Sequence, residues 1–235
     1  MKKAGKAGAS KGKAGPPKAS SEAAKKAGSA LKPGGAEQLF NQFASDSHPD
    51  SSKTAIEPTG LQDLCQALHM DPATDIAVLV LAWKCKTRTM GSITKEEFLQ
   101  GMQGLHVDSL NSLISRTTDM REMVRDASSA QFRDFYRFVF EISREPGSKV
   151  LELDVAVALL DLLLGCFALT SKFRAFLGRK EGLRAMSVDQ WQSFLEFCKL
   201  HSSGLQNYDS DGACKCYAGP VLIDEFVAWL QAGNS

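Results

Sequence analysis

The sequence predicts an all-α fold, and three observations carry that expectation. Apolar residues recur at helical spacing along most of the chain from Glu37 onward. Three of those segments open on Ser/Thr-x-x-Gln/Glu, the pattern in which two side chains satisfy each other's orphan N–H groups at a helix start. No stretch shows the strand-turn-strand alternation of a sheet.

The elements follow in order. Residues 1–36 hold nine lysines against one acid, Glu22, so this segment carries +8 and leaves −7 for the rest of a chain whose total is +1. It is Ala, Gly, Lys, Ser and Pro with almost nothing to bury, which predicts a disordered tail. From residue 37 to 231 the pattern is that of one helical domain. Leu39, Phe40 and Phe43 form the first stripe. Thr59-x-x-Gln62 opens the second, with Leu61, Leu64, Cys65 and Leu68. Asp71-Pro72 reads as a cap followed by Pro at the first helical position, ahead of Ile76, Val78, Leu79, Leu81, Ala82 and Trp83. Thr94-x-x-Glu97 opens a helix with Phe98 and Met102, and further helices are expected at 110–125, 129–143, 153–164 and 172–177. Ser187-x-x-Gln190 starts one that runs to Leu200. The last helix follows a turn-rich loop, Asn207 to Gly212, and Gly219-Pro220; it carries Asp224 and Glu225 near its start, then Phe226, Val227, Trp229 and Leu230.

Composition removes several classes of function. No apolar run of 18 residues or secretory h-region occurs, so neither a membrane span nor a signal peptide is expected. The second residue is Lys rather than Gly, which excludes N-myristoylation. The six cysteines include no C-x-x-C pair, as expected for reduced thiols in the cytoplasm or nucleus.

Helix–loop–helix spacing invites a calcium test, which requires oxygen ligands at loop positions 1, 3 and 5, Gly at 6 and a bidentate Glu at 12. Lys86–Glu97 has Gly91 and Glu97 in place, but positions 1, 3 and 5 are Lys86, Arg88 and Met90. Asp46–Glu57 has Pro49 at position 4 and Ser51 in place of Gly, and Asn207–Ala218 ends in Ala218 where the carboxylate belongs. The reading is an EF-hand-like first half that does not hold calcium, packed on a second helical half. Cys214-Lys-Cys216 with His201 lacks the paired spacing of a structural zinc site, and no nucleotide or nucleophile motif is present. Neither a catalytic site, a metal site nor a cofactor is expected.

Several motifs resemble one family in order and spacing. Pro72-Ala73, Leu81-Ala-Trp-Lys84, Phe98 with Gly101-Met102, Phe132-Arg-Asp-Phe-Tyr-Arg-Phe138, Asn207-Tyr-Asp209 and Pro220-Val-Leu-Ile-Asp-Glu-Phe226 are similar to the defective-in-cullin-neddylation proteins and their potentiating-neddylation domain, from about Glu37 to Leu230. The resemblance implies an all-helical, non-catalytic scaffold-type co-ligase for cullin neddylation. It would bind the winged-helix region of a cullin and the acetylated N-terminus of the neddylation-conjugating enzyme, and so act indirectly with the RING subunit of the cullin ligase. The cullin patch of the family, an acid, a small residue and an acid, matches Asp189, then Ala218 by spacing or Ala213 by local motif, then Asp224. The acetyl-Met pocket matches Leu61, Val78, Leu79, Leu81, Ala82, Cys85, Ile93, Ile142, Leu159 and Leu162. At Cys85, Ile93, Ile142 and Leu159 relatives carry aromatics, and Met90 replaces a polar rim residue. A monomer is expected. The rival readings are a calcium sensor and a nucleic-acid binder that uses the basic tail.

Overall fold

The computed structural model describes residues 34–44, 54–201 and 221–233. Ten α-helices lie among them: α1 Gly35–Phe43, α2 Pro58–Ala67, α3 Ile76–Cys85, α4 Lys95–Leu105, α5 Leu110–Met123, α6 Ala130–Ser143, α7 Leu153–Leu164, α8 Ala168–Arg179, α9 Val188–Leu200 and α10 Val221–Gln231. The fold is all-α. Four strands of two or three residues, β1 Ala55–Ile56, β2 Ile93–Thr94, β3 Val150–Glu152 and β4 Ala185–Ser187, escape the sequence reading because each is too short to show alternation. They pair antiparallel as β1–β2 and β3–β4, with Ile56 opposite Ile93 and Leu151 opposite Met186. Each strand immediately precedes, or lies one residue before, the helix that follows it. The same helix–strand–helix plan therefore occurs twice in each half of the domain.

Local chemistry sets most helix starts. Thr94–Glu97 and Ser187–Gln190 form complete capping boxes, and Ser109–Ser112 forms a third. Two expected starts are corrected. Thr59 is not a cap, because Pro58 occupies the first turn and the helix begins ahead of it. Asp71-Pro72 does not open α3; the Asp71 carboxylate accepts from Ala73 N at 2.8 Å and closes a separate turn. The cap of α3 is Asp75, which accepts from Ala77 N at 3.0 Å. Its carboxylate also takes Arg121 of α5 in a two-pronged ion pair, Nε to Oδ1 at 3.1 Å and a second bond to Oδ2. That guanidinium holds the Asp75 carboxyl below the usual carboxylate range. Helix α8 is longer than the expected 172–177.

Two aromatic seams organise the core. Phe40 of α1 meets Phe98 of α4, with centroids 5.8 Å apart. Tyr136 of α6 stacks on Trp191 of α9 at 4.5 Å, and the two exchange hydrogen bonds: Tyr136 Oη donates to the Trp191 carbonyl, and Trp191 Nε1 donates to the Tyr136 carbonyl, both at 3.0 Å. Both side chains are fully buried. Between α3 and α4, Gly101 permits a close approach, since a Cβ there would fall 2.9 Å from the Cys85 Cα and closer still to its sulfur.

Candidate functional site

Two features stand out, an apolar cavity and a pair of exposed acids. The cavity, of about 370 Å³, lies between α2, α3 and the loop that carries the chain from α3 into β2. Helix α3, IAVLVLAWKC, is apolar nearly all round and so has two faces to cover. Ala77, Val80 and Leu81 are buried, whereas Val78 and Ala82, one turn apart, are half-buried and line the cavity. Leu61, Leu64 and Cys65 of α2 form the facing wall, and Ile93, held by its pairing with Ile56, closes one end. Gln62, Thr87, Thr89 and Ser92 are the polar members of the lining, and among the described residues no charged one belongs to it.

Of the ten residues matched to a pocket by resemblance, Leu61, Val78, Leu79, Leu81, Ala82 and Ile93 line this cavity. Cys85, Ile142, Leu159 and Leu162 do not. Cys85, one turn beyond Ala82 at the end of α3, is fully buried against Gly101. Ile142 belongs to α6, and Leu159 and Leu162 are half-buried on α7. Met90, matched by resemblance to a rim position, lines the cavity as well, and residues not anticipated include Pro58, Leu64, Cys65, Thr89, Gly91 and Ser92. Leu64 and Cys65 share the helical stripe of Leu61, and that spacing was the available signal. For the turn, spacing carried no signal and only the resemblance pointed to Met90, because the position of the turn depends on the strand pairing.

The loop over the cavity is closed from within. Glu97 Oε2 accepts from Thr94 N at 2.9 Å, and Oε1 accepts from Arg88 N at 3.2 Å. The carboxylate at position 12 of this loop thus bonds the backbone.

The acids Asp189 and Asp224 are exposed in the first turns of α9 and α10, two helices in mutual contact. The Ser187–Gln190 box fixes the first turn of α9, with Ser187 N donating to Gln190 Oε1 at 2.8 Å, and Trp191 anchors the next residues. Helix α10 is held by Phe226, fully buried among Phe173, Phe176, Phe194 and Phe197 at centroid distances of 4.9, 5.5, 6.3 and 5.8 Å. Glu225 pairs with Lys180 of α8. Neither Asp189 nor Asp224 forms an ion pair with a described residue. Ala213 and Ala218, and the Cys214–Ala218 insertion, lie outside the described residues.

Thiol chemistry is not prepared at the buried cysteines. Burial pushes Cys85 and Cys198 up to about 12 and raises Cys65 as well, which keeps all three protonated near neutrality. Among the described residues no group of three or more His, Cys, Asp or Glu is arranged to hold a metal, and no helix is long and apolar enough to cross a membrane.

A helical domain with exposed helix-start acids and an uncharged cleft has the form of a docking module. A family model described as cullin binding matches residues 112–229, which span α9 and α10 with both acids. DCN1-like protein 5 of Rattus norvegicus is 39% identical over 177 residues, covering 75% of this chain and 71% of the relative. The Homo sapiens protein of the same name is 38% identical over the same length and shares of each chain. DCN1-like protein 4 of Drosophila melanogaster is 32% identical over 194 residues, or 82% of this chain and 74% of the relative. The chain belongs to the cullin-binding, defective-in-cullin-neddylation family.

Proposed function

We propose that the protein is a non-catalytic scaffold that promotes cullin neddylation by holding a cullin and the conjugating enzyme at once. The observation that carries this reading is the conjunction of two features in a cullin-binding domain: exposed acids on α9 and α10 with no ion-pair partner among the described residues, and a mainly apolar cavity beside α3. Asp189 and Asp224, with Ala218 or Ala213 between them in the chain, face basic residues of the cullin winged-helix region.

The cavity takes the acetylated N-terminal methionine of the conjugating enzyme. Among the described residues its lining contains no carboxylate to balance an ammonium, and burying an unpaired charge is far more costly than burying a neutral amide. Acetylation removes that charge, so the first half is EF-hand-like in plan but binds a peptide rather than an ion. Joining both partners raises their effective concentration, and rate enhancement comes from proximity rather than from a nucleophile. This supports an indirect role beside the RING subunit.

Reconstituted cullin neddylation tests the reading. The protein should accelerate transfer, and the Asp189→Lys/Asp224→Lys double variant should not, although it folds normally. Normal acceleration by the double variant refutes the acid patch. Calorimetry with a Met-led peptide should show the acetylated form binding at least about tenfold more tightly than the free amine, and equal affinities refute the pocket.

A further inference from the structure

We propose that Met90 is an oxidation site that gates the apolar cavity: peroxide converts its thioether to the sulfoxide, the cavity mouth becomes polar, and docking of an apolar ligand weakens. The inference rests on the cavity reading given above but concerns its regulation.

Exposure singles out the residue. Met90 is 52% exposed, whereas Met70, Met102, Met120 and Met186 are at 4% or less, and Met123 is partly buried. A peroxide therefore reaches Met90 first among the described methionines. Position gives the modification a consequence. Met90 lines the cavity while remaining open to solvent, which places it on the rim. It is the second residue of the turn Thr89–Ser92, closed by Ser92 N donating to the Thr89 carbonyl at 3.4 Å. Gly91, with φ +80°, supplies the positive angle that the third residue of a type II turn requires. The turn is thus defined by backbone geometry rather than by Met90, whose side chain is available to lie against a ligand.

An unbranched thioether suits that role, since it adapts to irregular apolar surfaces at low cost. Oxidation reverses the advantage. The sulfur lone pair attacks one oxygen of hydrogen peroxide, the S–O bond forms as the O–O bond breaks, and the departing oxygen leaves as water after proton transfer. Sulfur loses two electrons and the peroxide gains them. The product is a polar sulfoxide on the rim of a cavity that Leu61, Val78 and Ala82 also line, and burying it against a ligand without a donor is unfavourable. Methionine sulfoxide reductases restore the thioether.

The test treats the full chain with graded hydrogen peroxide, quenches it, and restores thiols with a dithiol so that cysteine oxidation, including that of exposed Cys166, does not contribute. Peptide mapping by mass spectrometry should find Met90 oxidised before the buried methionines. Affinity for an N-acetylated Met-led peptide should fall about tenfold and return on treatment with the reductases. Met90→Leu, compared with itself before and after treatment, should be insensitive to peroxide, and Met90→Gln should bind more weakly than the untreated wild type. Prior oxidation of a buried methionine, unchanged affinity of the oxidised protein, or equal peroxide sensitivity of Met90→Leu each overturns the gate while leaving the cavity assignment intact. Failure of the untreated chain to bind the peptide overturns both.

Discussion

Asp75 gives the sharpest prediction, because one carboxylate performs two separable tasks. It caps α3 through Ala77 N, and it anchors that helix to α5 through Arg121. Asp75→Asn retains an oxygen for the cap but removes the charge from the ion pair. The Asp75 side chain is 14% exposed and Arg121 39%, so a charge-assisted bond of about 1.5–3 kcal/mol must be reduced for solvent screening, to about 1–2 kcal/mol. Asp75→Ala also loses the cap, a further cost of about 1 kcal/mol. For a domain of this size each kcal/mol shifts Tm by about 2–4 °C. Thermal melts at pH 7 should therefore rank wild type above Asp75→Asn and Asp75→Ala lowest, with the alanine variant down by about 4–12 °C. Because folding lowers the Asp75 value, the contribution is complete above the free-carboxylate value of about 3.9 and disappears as pH falls from there through the folded value. The gap between wild type and Asp75→Asn should narrow in that window. Asparagine and alanine variants that melt together, or a gap independent of pH down to the acid transition, would refute the division of labour.

Other substitutions address the frame and the docking surfaces. Tyr136→Phe leaves the Trp191 carbonyl without its donor inside the core and should cost about 1–3 kcal/mol in denaturant melts. Gly101→Ala places a Cβ against Cys85 backbone that cannot move aside, so a loss of about 1–3 kcal/mol is expected by the same measurement. Phe226→Ala should cost about 3–5 kcal/mol and abolish cullin binding by releasing α10. Asp224→Lys should abolish binding while the domain still folds, at a cost of no more than about 2 kcal/mol from the reversed charge at the helix start, as read by pull-down and melting together.

Helix existence was legible in the sequence, and helix linkage was not. The starts of α4 and α9 were readable because the Thr94 and Ser187 boxes are complete within four residues. Asp71-Pro72 misled because the same pair satisfies a tight turn as well as a helix cap, and the choice fell to Asp75, whose partner Arg121 is 46 residues away. The cavity was legible where it follows α2 and α3 periodicity. Periodicity did not reveal it at Met90, which only the resemblance placed on the rim, or at Thr89, both in the loop that leads into the β1–β2 pairing, nor did it show that Cys85 packs against Gly101 instead. Leu159 and Leu162 share apolar character with the lining but belong to a different helix pair. Composition alone does not reveal which apolar positions meet across a fold.

The contrast between Asp224 and Glu225 explains how a docking charge is kept available. The two acids are adjacent, yet Glu225 is tied to Lys180 while Asp224 has no described partner. An unpaired carboxylate in the middle of a surface would gain little from its surroundings. In the first turn of a helix it faces the unsatisfied N–H groups and the positive end of the helix dipole, worth about 0.3–1 kcal/mol at an exposed site. Asp189 enjoys the same position on α9. The fold thus stabilises both charges without a cation from among the described residues. Glu225 and Lys180 serve instead to set the orientation of α10, aided by Phe226 in its aromatic socket. Acids at helix starts, each followed two residues later by a buried aromatic, Trp191 or Phe226, combine exposure with fixed geometry, which is what the proposed scaffold role asks of a docking charge.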